Sequence, residues 1–155
     1  MDLKHLDDLV DIARGKPTKR LAVAAAADRA VLDAVNKASR EGIIIPVLVG
    51  DQEKIEELAG SLGMDTQGVA IHHEPDPAKA SRKAVALIRQ GEADILMKGL
   101  VSTAPLLKAV LDKEQGLRKG GTLSHFALIE SPYYHKLLGV TDAAMNIAPE
   151  FQEKV

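Results

Sequence analysis

Apolar and polar positions along this chain follow two periods, which predict helices separated by short strands. Spacings of three and four residues, the helical period, recur over residues 3–13, 29–38, 55–62, 78–88 and 106–111. Short continuous apolar runs lie between them, at residues 20–26, 43–50, 68–74 and 94–97. Strands that alternate with helices of this length predict a parallel sheet covered by helices on both faces.

Helix boundaries are marked by capping residues. Asp28, Asp51 and Asp76 each precede an apolar helical pattern, and either Ser102 or Thr103 precedes the pattern at 106–111. Glycines 42, 63 and 91 follow the predicted ends. In the helix after Asp28, we expect four side chains to face the core, namely those of Val31, Ala34, Val35 and Ala38. Pro46 has no N–H, so it predicts an edge position for the strand at 43–50.

The last part of the chain has a different pattern. LSHFALIE (123–130) and HKLLGVTD (135–142) read as strands joined by only SPYY, which predicts a hairpin. Pro149 then marks the first turn of a helix shortly before Val155, so we expect the front part of a longer protein. The fold class predicted is α/β: one three-layer α/β/α domain over residues 1–155, with a mostly parallel sheet and a C-terminal antiparallel hairpin.

Composition narrows the function classes. The 155 residues are 46% hydrophobic and 27% charged, carry a net charge of −2 and include no cysteine. Without a basic stripe, a nucleic-acid partner is not expected. Without cysteine there is no disulfide framework, thiolate metal site or cysteine nucleophile. Neither a signal peptide nor an apolar run of membrane-spanning length is present, so we expect a cytoplasmic protein with no membrane partner.

Polar residues follow the apolar strand at 94–97, where open α/β sheets bind their ligands. Lys98 brings a positive charge, Gly99 allows a close backbone approach, and Ser102 and Thr103 add hydroxyls at a helix start whose N–H groups attract anions. These residues predict a phosphate-binding site. The alternative is a solvated lysine, a turn glycine and a helix cap. Neither GxxxxGK[ST] nor GxGxxG occurs in the sequence.

Other polar residues allow two interpretations each. Asp142 could face a cleft or cap a helix. His125 could be a functional histidine that points inward, or a core or rim histidine whose hydrogen bonds are satisfied within the fold. Ser124 and His125 are adjacent in a predicted strand, so they point to opposite faces and do not form a catalytic pair. His72 and His73 are adjacent too, and no third ligand stands at helical spacing from them, so no metal site is predicted.

Three long runs together resemble the phosphate acetyl/butyryltransferase family. They are LVDIARGKPTKRLAVAAAAD (9–28), DILMKGLVSTAPLLKAVLDKEQGLR (94–118) and LSHFALIESPYYHKLLGVTDAAMNIAP (123–149). The resemblance covers nearly all of this chain and the first half of the family's usual length. Pro105 departs from the family, whose members often have a polar residue there. The fold that the resemblance implies has two α/β/α domains with the active site between them, so a second domain would be absent here.

The resemblance implies reversible acyl transfer, in which acyl-CoA and phosphate give acyl phosphate and CoA, with coenzyme A and phosphate as substrates and no further cofactor. It also implies a homo-oligomer, and it places an aspartate, a serine and an arginine of the catalytic machinery in the second half. We therefore expect phosphate to bind at Lys98, Gly99, Ser102, Thr103 and Ser124. The expected catalytic residues are His125, Asp142 and Asn146. The alternative function is a non-catalytic phosphate- or nucleotide-binding α/β module.

Overall fold

Four parallel strands, each preceded or followed by a helix, form the centre of the larger part of the molecule. The computed structural model describes residues 4–120 and 123–141. The chain forms two compact units, one of residues 17–118 and one that joins residues up to 16 to those from 119 onward. In the larger unit the strands are β1 (Lys19–Ala24), β2 (Ile44–Gly50), β3 (Ala70–His73) and β4 (Ile95–Lys98). They lie in the order β3-β2-β1-β4 and pair in parallel.

Helices cover both faces of this sheet. They are α2 (Arg29–Arg40), α3 (Gln52–Ser61), α4 (Pro77–Arg89) and α5 (Thr103–Val110). Strand residues alternate between faces, so Leu21 and Val23 of β1 share a core with α2 and α3, whereas Ala22 and Ala24 share one with α4 and α5. The three-layer α/β/α arrangement with a parallel sheet is therefore confirmed.

The face that holds α4 is built from small residues. Ala22 and Ala24 of the strand meet Ala80 and Ala84 of the helix, and all four side chains are fully buried. A sheet and a helix that meet through alanines approach closely, so this core excludes water without large side chains.

Three aspartate caps form as the sequence predicted. The side chain of Asp28 accepts a hydrogen bond from the N–H of Val31, that of Asp51 from Lys54, and that of Asp76 from Lys79. Each bond satisfies one of the N–H groups that a helix start leaves without a partner. Glycines 42, 63 and 91 follow the helices in left-handed conformation, also as predicted.

Two details of the predicted packing were wrong. The strand with Pro46 is not at an edge, because β2 lies between β1 and β3. Strand β3 begins pairing only opposite Val47, so β1 alone lies beside Pro46 and the missing N–H disturbs one strand pair at most. On α2, Ala34 is exposed and Leu32 is buried beside Val35, because the helix is rotated from the expected phase.

The smaller unit contains α1 (Asp7–Arg14) and a two-stranded antiparallel sheet of β5 (Phe126–Ile129) and β6 (Leu138–Thr141). The predicted C-terminal hairpin is thus confirmed. Its strands are shorter than expected, and the connection between Ile129 and Leu138 is longer than SPYY. Within that connection, Ser131 accepts hydrogen bonds from the N–H groups of Tyr133 and Tyr134. The helix predicted at Pro149 lies outside the described residues.

Candidate functional site at the carboxyl edge of the sheet

The strand order places a crevice between β1 and β4. From β1 the chain proceeds to β2 and β3 on one side, and β4 then pairs with β1 on the other side. Open α/β sheets bind ligands outside the carboxyl ends of their strands at this kind of reversal. The segments that leave β1 and β4, residues 25–28 and 99–102, therefore border the expected ligand position.

The segment after β1 has an unusual backbone. Ala25 is buried and has φ 56°, the left-handed conformation that disfavours residues with a side chain. The next N–H, of Ala26, donates to the carbonyl of Val49 at 2.9 Å and so ties the exit of β1 to the end of β2. Strained backbone of this kind is often kept at functional sites. Sequence reasoning missed Ala25, because a run of four alanines contains neither the glycine nor the asparagine that usually signals this conformation.

Gly99 closes the crevice by packing directly on the backbone of β1. Its N–H donates to the carbonyl of Ala24 at 2.8 Å, and the N–H of Leu100 donates to the carbonyl of Ala25 at 2.8 Å. A Cβ atom at Gly99 would lie 2.3 Å from the oxygen of Ala25 and 2.7 Å from that of Ala24. Only glycine fits against β1 at this position, whereas its expected close approach to phosphate stays a prediction.

Lys98 lies at the end of β4 with its side chain exposed, and its ammonium bends back over the following loop. It donates to the carbonyl of Val101 at 2.8 Å and, more weakly, to that of Gly99 at 3.3 Å. An ammonium has three N–H donors, so these two bonds leave one for an anion. Lys98 thus holds the loop in shape while keeping its positive charge at the helix start.

Ser102 and Thr103 stand at the amino end of α5, both exposed. Ser102 occupies the N-cap position, but its side chain makes no capping hydrogen bond, unlike the three aspartate caps. Pro105 is the third residue of the helix and supplies no N–H, so this helix start offers one backbone donor fewer than usual. The exposed hydroxyls of Ser102 and Thr103 are further donors at this helix start.

A small cavity lies beside this loop. Its volume is about 150 Å³, and its lining comes from the exits of all four strands and from the first turns of α3 and α4. The residues that line it are Ala25, Ala27, Gly50, Asp51, Lys54, Glu74, Pro75, Pro77 and Leu100. Lys54 and Asp51 form an ion pair of 3.2 Å, and the hydrogen bond from the Lys54 side chain, with that from its N–H, lowers the pKa of Asp51. Sequence reasoning missed Lys54 and Glu74, since only the tertiary fold brings α3 and the exit of β3 to this edge.

Ser124 and His125 belong to the smaller unit. Both are exposed and immediately precede β5 rather than opening it, and the carbonyl of His125 accepts a hydrogen bond from the hydroxyl of Thr141 at 3.2 Å. The structure therefore places these two residues at the open end of the hairpin, opposite the connection between its strands. Asp142 and Asn146 lie outside the described residues, and their expected roles stay predictions.

Of the two adjacent histidines, His73 contacts the start of helix α3. The N–H of Gln52, the first residue of α3, donates to Nδ1 of His73 at 3.2 Å. Within residues 4–120 and 123–141, no three His, Asp or Glu side chains converge on a possible metal position. Nor does that part of the chain contain a helix with the length and apolar character needed to cross a membrane.

Comparison with known proteins gives a consistent result. The sequence model of the family described as "Phosphate acetyl/butaryl transferase" matches residues 74–155. The chain is 44% identical over 153 residues to the phosphate butyryltransferase of Clostridium acetobutylicum, covering 99% of this chain and 51% of that protein. It is 41% identical over 150 residues to the phosphate acetyltransferase of Thermotoga maritima, covering 97% of this chain and 50% of that one.

A solved structure supports the same relationship. A branched-chain phosphotransacylase from Enterococcus faecalis superimposes with a TM-score of 0.70 at 32% identity, over 86% of this chain and 46% of that one. The chain thus spans about half the length of the curated relatives it matches.

Proposed function

Given that this chain belongs to the phosphate acetyl/butaryl transferase family, we propose that it provides the phosphate-binding part of a phosphate butyryltransferase-like enzyme. The reaction is reversible acyl transfer from acyl-CoA to phosphate, which gives acyl phosphate and CoA. Since the chain spans about half of its relatives' length, we expect little or no turnover from these 155 residues alone. The proposal includes a cytoplasmic homo-oligomer that needs no cofactor beyond its substrates.

The observation that carries the proposal is the loop from β4 to α5. Gly99 packs this loop against β1, and the ammonium of Lys98 donates to a carbonyl of the loop. The hydroxyl of Ser102 makes no capping hydrogen bond to the helix. Phosphate at this position would receive hydrogen bonds from the helix start, from Ser102 and Thr103, and from Lys98. The loop would thereby fix the nucleophile in place before acyl transfer, which is a large part of what an enzyme contributes to a two-substrate reaction.

The remaining candidate residues are assigned to phosphate, to the oxyanion of the reaction and to the lining of the cleft. The tetrahedral intermediate formed when phosphate attacks the thioester carbonyl carries an oxyanion, which needs hydrogen-bond donors. We assign Ser124 to phosphate, His125 or Asn146 to this oxyanion, and Asp142 to the lining of the cleft. These assignments rest on the residues' match to the family's runs.

Phosphate binding can be measured on this chain directly. We would titrate inorganic phosphate and follow amide shifts of residues 98–104 by NMR, for the wild type and for Lys98→Ala and Ser102→Ala. Lys37→Ala is the matched control, because that lysine is exposed at the carboxyl end of α2, away from the strand exits. We expect both loop variants to weaken phosphate binding about fivefold or more and the control to leave it unchanged.

Turnover is tested separately, as CoA release from butyryl-CoA and phosphate by the chain alone and with the second half of a relative added. CoA release only in the mixture would support the division of the site. A rise in the melting temperature of the chain with nucleotides, and none with phosphate, would instead favour a non-catalytic nucleotide-binding module. Unchanged phosphate affinity in both loop variants would remove Lys98 and Ser102 from the site.

A further inference from the structure

Helices α4 and α5 leave an open groove between them on one face of the sheet. Its volume is about 730 Å³, within the range of small-molecule sites. Its floor consists of small or compact apolar side chains, namely Ala78, Val85, Ala86, Ala104, Pro105 and Ala109. On α4, Ala78 and Ala86 flank Arg82 at helical spacing, and on α5, Ala104 and Ala109 lie on either side of Lys108, so each helix presents small apolar side chains around a cation.

Both helices also contribute positive charges to the lining of this groove. Arg82 from α4 and Lys108 from α5 both line it, and within the part of the chain that the structure describes neither side chain makes a hydrogen bond or an ion pair. Lys83 lines the groove too, but its ammonium donates to the carbonyl of His73 at 3.4 Å, toward the exit of β3. Arg82 and Lys108 are therefore the cations available to a ligand.

The carboxylate that lines the groove, that of Asp112, already accepts hydrogen bonds within the protein. Asp112 accepts hydrogen bonds from the N–H groups of Gln115 and Glu114 at 2.7 and 2.9 Å, and these bonds are the main reason that its pKa is lowered. Lys108 adds a smaller electrostatic contribution to that lowering. The side-chain oxygen of Gln115 accepts a hydrogen bond from Arg89 at 2.8 Å. The groove thus combines apolar side chains with the cations Arg82 and Lys108. The carboxylate of Asp112 also lines it, but the turn that follows α5 holds that carboxylate through hydrogen bonds.

We propose that this groove binds a medium-chain carboxylate, with the alkyl chain on the alanine floor and the carboxylate between Arg82 and Lys108. An arginine fork matches a carboxylate in geometry and charge, and an alkyl chain gains from each methylene that leaves water. The eight-residue helix α5 is about 12 Å long, comparable to an extended octanoate. The groove adjoins the phosphate-binding loop at Ala104 but is not lined by Lys98, Gly99, Ser102 or Thr103, and the proposal does not depend on the acyl-transfer proposal.

Octanoate, which contains neither phosphate nor CoA, is the probe. Titration of the 155-residue chain, followed by NMR at low ionic strength, should shift amides of α4 and α5. Each added methylene from butanoate to octanoate should strengthen binding by up to about fourfold. Octanol, which has the same chain without the charge, should bind more weakly than octanoate.

Two kinds of variant test separately the apolar lining of the groove and its two cations. Ala86→Trp fills the groove and should abolish octanoate binding. Arg82→Glu and Lys108→Glu change exposed side chains, so they should fold normally and bind octanoate about fivefold or more weakly. Lys79→Glu is the matched control, an exposed lysine on α4 that does not line the groove, and it should bind octanoate like the wild type.

Three results would overturn the proposal. One is the absence of shifts in α4 and α5 with octanoate. Another is equal weakening by Lys79→Glu and Arg82→Glu, which would indicate an unspecific charge effect. The last is concentration-dependent self-association, seen by light scattering and abolished by Ala86→Trp, which would mean that the groove takes a second copy of the chain instead. Loss of phosphate binding in the loop variants has no bearing on any of these results.

Discussion

The guanidinium of Arg20 binds the carboxylate of Asp94 through two hydrogen bonds, of 2.9 and 3.2 Å. The backbone of Arg20 takes part as well, since its N–H donates to the Asp94 carboxylate and its carbonyl accepts from the N–H of Asp94, both at 2.9 Å. Leu21 and Ile95, the next residues, begin the pairing of β1 with β4. This contact therefore sets the register that later brings Gly99 against Ala24.

The Arg20–Asp94 contact predicts a dependence of stability on acid. The Arg20 side chain, followed by its backbone N–H, lowers the pKa of Asp94 from 3.8 to about 2. Because the folded state lowers this pKa, the stabilisation is complete above pH 3.8 and is lost as the pH falls toward 2. Asp94→Asn should lower the melting temperature at pH 7, and its difference from the wild type should shrink over that interval.

Thermal unfolding at a series of pH values measures this effect. Asp33→Asn, which breaks an exposed ion pair with Lys37 within one helix, is the control and should change the melting temperature little. A difference between Asp94→Asn and the wild type that stays constant from pH 7 to pH 2 would contradict the prediction.

Gly99→Ala should destabilise the fold and reshape the loop after β4. The added methyl group would lie 2.3 Å from the carbonyl oxygen of Ala25, so the loop or the end of β1 has to move. We expect a loss of about 1–3 kcal/mol in the free energy of unfolding, measured by urea denaturation. Gly60→Ala is the control, because nothing lies near its Cβ position and alanine favours the helix. Equal stability of both variants would show that the contact of Gly99 with β1 is dispensable.

Helix caps give a test of whether Ser102 is structural. Asp28→Ala removes a 3.0 Å capping bond to the N–H of Val31 and should cost about 1 kcal/mol in the free energy of unfolding. Ser102→Ala removes a hydroxyl that makes no capping bond and should cost clearly less. Denaturation of both variants side by side decides the matter. An equal cost would assign Ser102 to helix capping and weaken its proposed role in phosphate binding.

In the smaller unit, the start of α1 is tied to the hairpin through Glu130. Its carboxylate accepts hydrogen bonds from His5 Nδ1 at 2.7 Å and from the N–H of Leu6 at 2.8 Å. The hydrogen bond to Glu130 raises the pKa of His5 above 6.5, and the bond from His5 lowers the pKa of Glu130 below 4.5. The His5 contribution is complete below pH 6.5 and is lost as the pH rises through the raised value, while the Glu130 contribution is lost as the pH falls below 4.5.

This tie should therefore be strongest between about pH 4.5 and 6.5. An NMR titration of the His5 ring should give a lower pKa in Glu130→Gln than in the wild type. Hydrogen exchange at the amide of Leu6 should also be faster in that variant. An unchanged His5 titration would mean that the two side chains do not interact in solution.

The sequence alone predicted most of the larger unit, and physical reasons explain why. Helical period, aspartate caps and terminal glycines are local properties, so the residues around Asp28, Asp51 and Asp76 specify their helices without reference to the rest of the fold. Alternating strands and helices then leave few arrangements other than a parallel sheet covered on both sides. The position of the loop with Lys98, Gly99, Ser102 and Thr103 was predicted for the same reason, as it follows from one strand and one helix, while its binding of phosphate stays a prediction.

The tertiary structure decided what depends on residues far apart in the chain. Strand order placed β2 inside the sheet although Pro46 suggested an edge, because pairing with β3 starts only after that proline. The left-handed Ala25 has no local signal and exists because Gly99 and Val49 bind the backbone around it. The groove between α4 and α5 likewise arises from two helices that share a sheet face. Local free energies fix the elements, whereas their packing fixes the crevices in which ligands bind.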